Sequence, residues 1–273
     1  MLLPSLSPNQ PIGIFDSGIG GLTVFSELQK LLPLEDFVYL GDTARVPYGT
    51  KSSEMVLHYS QHNVKFLLEK KVKMVVVACN TASAFALLEL QKYYPIPIIG
   101  VIDPGAQGAM KTSQKNRIGV IGTEGTIRSD AYAKTILRKN PKTFVVSTPC
   151  PLFVPLVEEG WLEGEVTEQV ASIYLKKIIS EKVDTLILGC THYPLLKRTL
   201  KKVVGNSIQL IDSAEETALE TKHILEENKI LRKENLQPTG QFFVTDSPER
   251  FRRVGELFLK TPIQKVNHVT IEM

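Results

Sequence analysis

Residues 75–81, Val-Val-Val-Ala-Cys-Asn-Thr, recur in altered form at residues 186–191, Leu-Ile-Leu-Gly-Cys-Thr. In both copies an apolar run leads to a cysteine, and polar residues that suit the start of a helix follow it. The two cysteines, Cys79 and Cys190, are separated by 190 − 79 = 111 positions. A second repeat matches residues 12–17 with residues 118–123 at an offset of 118 − 12 = 106 positions. The chain therefore contains two related units.

Short β-branched runs alternate with helical patterns along most of the chain. The runs that we predict to be strands cover residues 12–15, 37–40, 74–77, 96–101, 117–121, 143–146, 185–188, 208–211 and 242–245. Such alternation is typical of parallel strands with helices on both faces. We predict an α/β fold made of two pseudo-symmetric α/β domains with mainly parallel sheets, and an active site in the cleft between them. The competing interpretation is that unrelated α/β units share the same strand-then-glycine patterns.

The domain boundaries follow from where the repeats begin and end. The first domain is expected to cover residues 1–102 plus 213–273, and the second residues 103–212. Ser213 and Glu216 fit a capping box for a helix that runs to about Lys233. Pro248 suits the first turn of a last helix. The amino-terminal segment 1–10 is expected to be a frayed extension.

Composition excludes several classes of protein. The 32 Lys and Arg residues against 29 Asp and Glu leave a net charge of only +3, and the basic residues are scattered. We therefore expect no nucleic-acid partner. The sequence contains no apolar run of about 18 residues, which predicts no membrane span. The amino terminus lacks the features of a signal peptide. Three cysteines do not suggest a disulfide framework, so we expect a reducing, cytoplasmic location.

The matched cysteines are the strongest indication of chemistry. Each follows a predicted strand at the sheet edge where α/β proteins bind ligands. The amino terminus of the following helix favours a thiolate, so we expect it to lower the cysteine pKa. Inverting a carbon that bears a hydrogen needs one group to remove the proton and a second group to return one from the opposite face. Cys79 and Cys190 could be those groups; the alternative is that both are buried small hydrophobic residues.

A glycine-rich turn follows the first predicted strand. Asp16 and Ser17 precede Gly18-Ile-Gly-Gly21, and the backbone N–H groups of the next helix could bind a carboxylate, with Ser17 donating a further hydrogen bond. The rival interpretation is a dinucleotide loop. Thr23 occupies its third glycine position and Asp16 would repel a pyrophosphate, so we expect no nucleotide.

The remaining polar candidates have simpler alternatives. His192 and Asp16 could each adjust the proton affinity of a cysteine, although a histidine at a helix start is often only structural. His58 and His62 have a spacing that can hold zinc, but no third ligand is evident, so we expect no metal site. Cys150 lies outside the strand-end pattern and receives no role.

Five segments together closely resemble the glutamate racemases of the aspartate/glutamate racemase superfamily. They are Gly13–Thr23, Tyr39–Asp42 with Pro47–Gly49, Ala78–Ser83, Pro151–Gly160 and Leu188–Pro194. The resemblance implies that Cys79 and Cys190 are the acid/base pair, assisted by Asp16 and His192. It also implies a substrate pocket made of Asp16, Ser17, Pro47, Tyr48, Gly49, Asn80, Thr81, Thr191 and His192. Glu158 is a further candidate, for contacting the substrate ammonium.

The resemblance carries wider expectations. It implies a cofactor-independent isomerase that interconverts L- and D-glutamate, without pyridoxal phosphate or metal. The product would serve bacterial peptidoglycan synthesis, hence cell-wall formation and cell shape. A homodimer is expected because the family commonly forms dimers. The alternatives are a racemase of the same superfamily acting on aspartate or a hydantoin, a nucleotide-dependent enzyme, and a non-catalytic protein that regulates a partner such as DNA gyrase.

Overall fold

The computed structural model describes residues 6–235 and 237–271 of the chain. Within them, ten strands form two sheets, and every pair of neighbouring strands is parallel. The strands are β1 (Ile12–Asp16), β2 (Phe37–Gly41), β3 (Met74–Val77), β4 (Ile98–Gly100), β5 (Arg117–Gly122), β6 (Phe144–Pro149), β7 (Thr185–Gly189), β8 (Gln209–Asp212), β9 (Gly240–Val244) and β10 (Val266–His268). The predicted α/β class with parallel sheets is confirmed.

The two sheets repeat one strand order. The first sheet has the order β10-β9-β2-β1-β3-β4, and the second has the order β6-β5-β7-β8. The second sheet therefore matches the β2-β1-β3-β4 part of the first, strand for strand. In this correspondence β1 is equivalent to β5 and β3 to β7, as the sequence repeats predict. The carboxyl-terminal part of the chain returns to the first sheet and adds β9 and β10 beside β2.

Among the described residues, twelve α-helices cover the sheets. They are α1 (Leu22–Leu31), α2 (Ser53–Glu69), α3 (Asn80–Phe85), α4 (Leu87–Tyr93), α5 (Ile102–Thr112), α6 (Glu124–Arg128), α7 (Ala131–Lys139), α8 (Phe153–Glu158), α9 (Glu165–Ser180), α10 (Lys197–Val204), α11 (Ser213–Glu227) and α12 (Pro248–Leu259). Side-chain caps fix several of their starts, because an oxygen there accepts a backbone N–H that has no partner within the helix. The Ser52 hydroxyl accepts from Met55 N, and the Thr123 hydroxyl from Thr126 N.

The unit built on the first sheet (the first half) and the unit built on the second sheet (the second half) share the largest cluster of buried apolar side chains. The largest cluster of buried side chains includes Ile12 and Phe25 of the first half together with Ile121 and Leu188 of the second. Helix α11 packs against both α1 and α5 and so bridges the two halves. Each Å² of apolar surface that these side chains remove from water stabilises the folded chain by roughly 25 cal/mol. The cleft between the sheets is thus set by direct packing.

Several local predictions differ from the structure. Asp212, not Ser213, caps α11, since its carboxylate accepts from Ala214 N at 2.9 Å; the predicted capping box is wrong. The same helix ends at Glu227 rather than near Lys233. The short strand β10 has no sequence signal, because its residues are Val-Asn-His.

The structure describes residues 6–10 of the predicted frayed extension. Residues 1–5 lie outside the described residues. Residues 8–9 are held in place: the Pro8 carbonyl accepts hydrogen bonds from Lys73 Nζ at 2.7 Å and Arg232 Nε at 3.2 Å, and the Asn9 carbonyl accepts one from Arg232. The expectation of fraying is therefore wrong for this part of the segment.

Among residues 6–235 and 237–271, no helix has the length and apolarity needed to cross a membrane.

The division into domains at positions 102/103 and 212/213 stays a prediction.

Candidate active site

The candidate site lies at the point in each sheet where the direction of the strand order reverses. In the first sheet β1 has β2 on one side and β3 on the other, so the chain leaves β1 towards one edge of the sheet and leaves β3 towards the other edge, where β4 lies. The same reversal occurs between β5 and β7 in the second sheet. Parallel α/β sheets bind ligands at this type of switch point. Ser17 and Cys79 follow β1 and β3, and Thr123 and Cys190 follow β5 and β7.

One cavity of about 340 Å³ opens between these strand ends. It is lined by Ser17, Gly18, Val46, Pro47, Tyr48, Gly49, Thr50, Cys79, Asn80, Thr81, Thr123, Glu124, Pro151, Val154, Pro155, Glu158, Cys190, Thr191 and His192. A second crevice beside β4 is slightly larger, about 390 Å³. Its walls include Gln91, Asp103 and Glu220, but no cysteine or histidine. The chemistry therefore points to the smaller cavity.

Both cysteines and nearly all of the predicted substrate-binding residues line this cavity. Those residues are Ser17, Pro47, Tyr48, Gly49, Asn80, Thr81, Glu158, Thr191 and His192. Asp16 does not line it: the residue has no exposed surface, and Oδ2 accepts a hydrogen bond from Gly18 N at 2.9 Å. The structure thus places the other predicted residues around one cavity, whereas Asp16 is buried next to the cavity without lining it.

Cys79 caps helix α3 and is buried. Its sulfur accepts a hydrogen bond from Ala82 N at 3.5 Å, and lies 3.6 Å from the Ser17 hydroxyl. Burial, and next the negative charge of Asp16, raise the Cys79 pKa to about 12. The expectation that the helix amino terminus lowers this pKa is wrong, because desolvation outweighs the opposing effects of the Ala82 N–H and the Ser17 side chain. In this structure Cys79 is a thiol at neutral pH.

Asp16 is the buried neighbour of Cys79. Burial raises the Asp16 pKa, while the charge of His192 and the N–H groups of residues 17, 18 and 21 oppose that rise. Its Oδ1 has no hydrogen-bond partner among the described residues. A carboxyl group with a raised pKa and a free oxygen can exchange a proton with an adjacent thiol. Its position suits an effect on Cys79 rather than on a bound ligand.

Cys190 has a different neighbour. Its sulfur lies 4.0 Å from Nδ1 of His192, and Nε2 of the same ring lies 3.0 Å from Oε1 of Glu158. The other oxygen of Glu158 accepts a hydrogen bond from Nη2 of Arg250 at 2.9 Å. Burial lowers the His192 pKa, but the contacts with Cys190 and Glu158 outweigh it and raise the pKa to about 10. The ring is therefore an imidazolium at neutral pH.

The glycine turn brings the halves into contact. A Cβ atom on Gly20 would lie 2.2 Å from Oγ1 of Thr191 and 2.4 Å from Nδ1 of His192. Oγ1 of Thr23, three residues further along the chain, donates to the Thr191 carbonyl at 3.1 Å. Gly20 is thus required by close packing against the loop that carries Cys190. Gly18 lines the cavity, whereas Gly20 serves the contact between halves.

Hydroxyl and amide groups on the walls are held by a tight network. The Thr81 hydroxyl is 2.9 Å from that of Thr123 and 3.2 Å from that of Thr126. The Tyr132 hydroxyl donates to Oδ1 of Asn80 at 2.7 Å. Such bonds fix the orientation of polar groups that could bind carboxylates. Thr123 was missed as a site residue, although the repeat that aligns it with Ser17 (123 − 17 = 106) carried the signal.

Other lining residues had no sequence signal. Val46, Pro151, Val154 and Pro155 form apolar parts of the cavity wall; Val154 and Pro155 lie in α8, and the other two lie in connecting segments. An apolar wall keeps water from charged reacting groups. No sequence pattern distinguishes these positions from other helix and loop residues.

The weaker sequence candidates lie elsewhere. His58 and His62 pack edge to face with ring centroids 4.4 Å apart. Within residues 6–235 and 237–271, no cluster of three or more metal-ligating side chains is found. Cys150 is fully buried, does not line the cavity, and its carbonyl accepts from the Tyr193 hydroxyl at 2.8 Å.

Taken together, the site offers two sulfur atoms from opposite sheets, each with its own titratable neighbour. Neutral hydrogen-bonding groups cover much of the remaining polar wall. This set can remove a proton from one face of a small carboxylate-bearing molecule and deliver another from the opposite face.

Comparisons with known proteins agree with this geometry. A sequence model of the family described as Asp/Glu/Hydantoin racemase matches residues 24–221. A glutamate racemase from Geobacter metallireducens is 53% identical over 265 residues, which cover 97% of this chain and 98% of that protein. The crystal structure of glutamate racemase isoform RacE1 from Bacillus anthracis is 43% identical, covers 97% of this chain and 98% of its own, and superimposes with a TM-score of 0.94. That of glutamate racemase from Francisella tularensis in complex with D-glutamate is also 43% identical, with a TM-score of 0.91 over 97% of this chain and 99% of its own.

Proposed function

The chain belongs to the Asp/Glu/Hydantoin racemase family, and from this premise we propose that it interconverts L- and D-glutamate by transferring protons through Cys79 and Cys190. Its activity is that of an isomerase, a glutamate racemase, as the curated relatives and the solved structures support. The observation that carries the mechanism is that both sulfurs line one cavity of about 340 Å³ from two different sheets. Neither sulfur alone could act on both faces of a carbon.

The proposed reaction balances one proton removed against one delivered. A thiolate on one side takes the α-proton of glutamate and becomes a thiol, leaving the electron pair on the α-carbon. The thiol on the other side gives its proton to the opposite face and becomes a thiolate. The product is the mirror image of the substrate, and the two cysteines have exchanged protonation states. The next turnover in the same direction requires exchange of these protons with solvent.

The neighbours of each sulfur suit this exchange. The His192 imidazolium lies beside the Cys190 sulfur, with Nδ1 at 4.0 Å, while burial and Asp16 raise the pKa of Cys79 and keep it protonated. The proposed reaction begins with one thiol and one thiolate. Asp16 assists proton transfer at Cys79, and His192 assists it at Cys190. The α-carbanion gains stability from the dry walls and the fixed hydrogen-bond donors around it.

Glutamate is the substrate best supported among the alternatives. The similar proteins from Geobacter, Bacillus and Francisella are all glutamate racemases, and one of the structures holds D-glutamate. Ser17, Asn80, Thr81 and Thr191 would bind its two carboxylates without neutralising the cysteine pair. The aspartate and hydantoin alternatives receive no comparable support. Closure of the two halves over the substrate would complete the removal of water.

The cellular part of the proposal follows from the relatives. The similar glutamate racemases come from bacteria, and we propose that this chain supplies D-glutamate for peptidoglycan in a bacterial cytoplasm. We propose further that it acts as a homodimer and needs neither pyridoxal phosphate nor metal. Activity that survives dialysis against a chelator and is unchanged by added pyridoxal phosphate would support the last point.

The test of function is a circular-dichroism assay with purified protein and a single enantiomer. We expect the signals of L-glutamate and of D-glutamate to decay to zero without any added cofactor. L-aspartate and a 5-substituted hydantoin, assayed in parallel, should retain their signals on the same timescale. Decay with aspartate or hydantoin but not with glutamate would overturn the substrate assignment.

A further inference from the structure

Helix α12 reaches the Cys190 side of the site from outside it. The helix belongs to the carboxyl-terminal part of the chain and packs on α1 of the first half. Arg250 near its start hydrogen-bonds Glu158, and Phe258 near its end packs edge-on against the His192 ring, with centroids 5.5 Å apart. Residues eight apart lie on one side of a helix. One face of α12 thus contacts both members of the His192–Glu158 pair.

The two charges of the Arg250–Glu158 pair sit at helix ends that do not favour them. Glu158 is the last residue of α8, where the helix dipole disfavours a negative charge. Arg250 is the third residue of α12, where the dipole disfavours a positive charge. Neither residue is therefore placed to stabilise its own helix. Their positions are explained by the contact they make with each other.

Both carboxylate oxygens of Glu158 contact protein groups. Oε1 lies 3.0 Å from Nε2 of His192, and Oε2 accepts from Nη2 of Arg250 at 2.9 Å. With Nε2–H donating to Glu158, the remaining ring nitrogen, Nδ1, faces the Cys190 sulfur at 4.0 Å. A histidine used for proton transfer needs such a partner on its second nitrogen to fix its orientation.

We propose that Arg250 is a positioning residue for racemisation: it holds the Glu158 carboxylate against Nε2 of His192 and so keeps Nδ1 directed at the Cys190 sulfur. This inference rests on the proposed two-cysteine mechanism. It gives the carboxyl-terminal helix a part in the chemistry of the opposite half. It also gives Glu158 a role on His192 in place of the predicted contact with the substrate ammonium.

The experiment compares Arg250→Gln and Arg250→Lys with a matched control, Arg253→Gln. Arg253 lies on the same helix, is exposed, and has no ion pair among the described residues. The readouts are kcat and KM for both enantiomers, the isotope effect of an α-deuterium on kcat/KM, and the thermal unfolding temperature. Because two enantiomers have equal free energy, kcat/KM must fall equally in both directions. Information on which sulfur is affected therefore comes from the isotope effects.

We expect Arg250→Gln to lower kcat/KM about tenfold, a fraction of the roughly 10²- to 10⁴-fold that a positioned acid/base supplies. The isotope effect should rise for the enantiomer whose α-proton Cys190 removes, and fall for the other, because only the Cys190 step is slowed. Arg250→Lys should recover most of the activity. Arg253→Gln should match the wild type, and adding Arg250→Gln to Glu158→Gln should cost nothing more.

Three results would overturn the inference. One is wild-type kinetics in Arg250→Gln, and another is an equal loss in Arg253→Gln. The third is a loss in Arg250→Gln whose isotope effects shift in the same direction for both enantiomers, or do not shift. Wild-type protein that is inactive on both enantiomers would overturn the proposed function as well; an active wild type with an unaffected Arg250→Gln variant overturns the inference alone.

Discussion

Cys79 and Cys190 occupy equivalent positions after β3 and β7, yet their surroundings carry opposite charge. The repeat offsets make this explicit. Asp16 in the first unit corresponds to position 16 + 106 = 122, which is Gly122, and Thr81 corresponds to 81 + 111 = 192, which is His192. Cys79 therefore has a carboxyl neighbour where Cys190 has none, and Cys190 has an imidazolium where Cys79 has a hydroxyl.

This difference shows how a repeated fold can perform an asymmetric reaction. The repeat places two sulfurs at two switch points, so that both face one cavity. The residues that differ between the units then give Cys79 a carboxyl neighbour and Cys190 a cationic one. Burial raises the pKa at Cys79 with Asp16 adding to the effect, while His192 supplies a positive charge beside Cys190.

The largest effect is expected from removing either sulfur. Cys79→Ser and Cys190→Ser should each lower kcat/KM by about 10³- to 10⁴-fold, because a hydroxyl is far less acidic than a thiol and cannot take or return the α-proton at a useful rate. Steady-state racemisation monitored by circular dichroism measures this. Cys150→Ala is the matched control and should stay near wild-type activity. Unchanged activity in either serine variant would remove the two-cysteine mechanism.

A smaller, directional effect is expected from the two unlike neighbours. Asp16→Asn and His192→Gln should each lower kcat/KM by about 10²-fold, the lower end of what a positioned acid/base contributes. Their α-deuterium isotope effects should change in opposite senses: the enantiomer whose isotope effect rises in one variant should show a fall in the other. The same pattern in both variants would mean that the neighbours do not act on separate sulfurs.

The smallest effect concerns stability and pH. The folded-state pKa of His192 is raised to about 10, above its unfolded value of about 6.5. A raised pKa contributes stability that is complete below the unfolded pKa and is lost as pH rises through the folded one. The difference in free energy of unfolding between wild type and His192→Gln should therefore shrink from pH 6 to pH 10, as measured by urea unfolding. A difference that stays constant over this range would contradict the charged His192–Glu158 pair.

The features that local sequence determines were predicted well. Apolar β-branched runs give the positions of the strands, and the repeat of Cys79 as Cys190 gives the equivalent placement of the two sulfurs. The carboxyl ends of parallel strands meet at one edge, so Ser17, Asn80 and Thr191 could be assigned to one cavity. The class of fold follows from these local patterns, whereas Pro47, Tyr48, Gly49 and Glu158 entered the predicted pocket only through the resemblance to the family.

The features that depend on tertiary contacts were not predicted. Burial decides the Cys79 pKa, and no local pattern reveals that Asp16 lies behind the wall. The Arg250–Glu158 bond joins residues 92 positions apart on two helices, and Val46 and Val154 line the same cavity only after folding. Sequence periodicity reports which face of an element is apolar, but not which distant element covers it.

Racemisation of L-glutamate in deuterium oxide tests most directly whether two groups act on opposite faces of one carbon. Mass spectrometry of the two separated enantiomers during the first few per cent of conversion gives the isotope content. Two sulfurs predict that D-glutamate carries one deuterium at its α-carbon from the outset, while recovered L-glutamate keeps its proton. Deuterium appearing in recovered L-glutamate as fast as in the product, or product that retains the original proton, would indicate a single group and contradict the account.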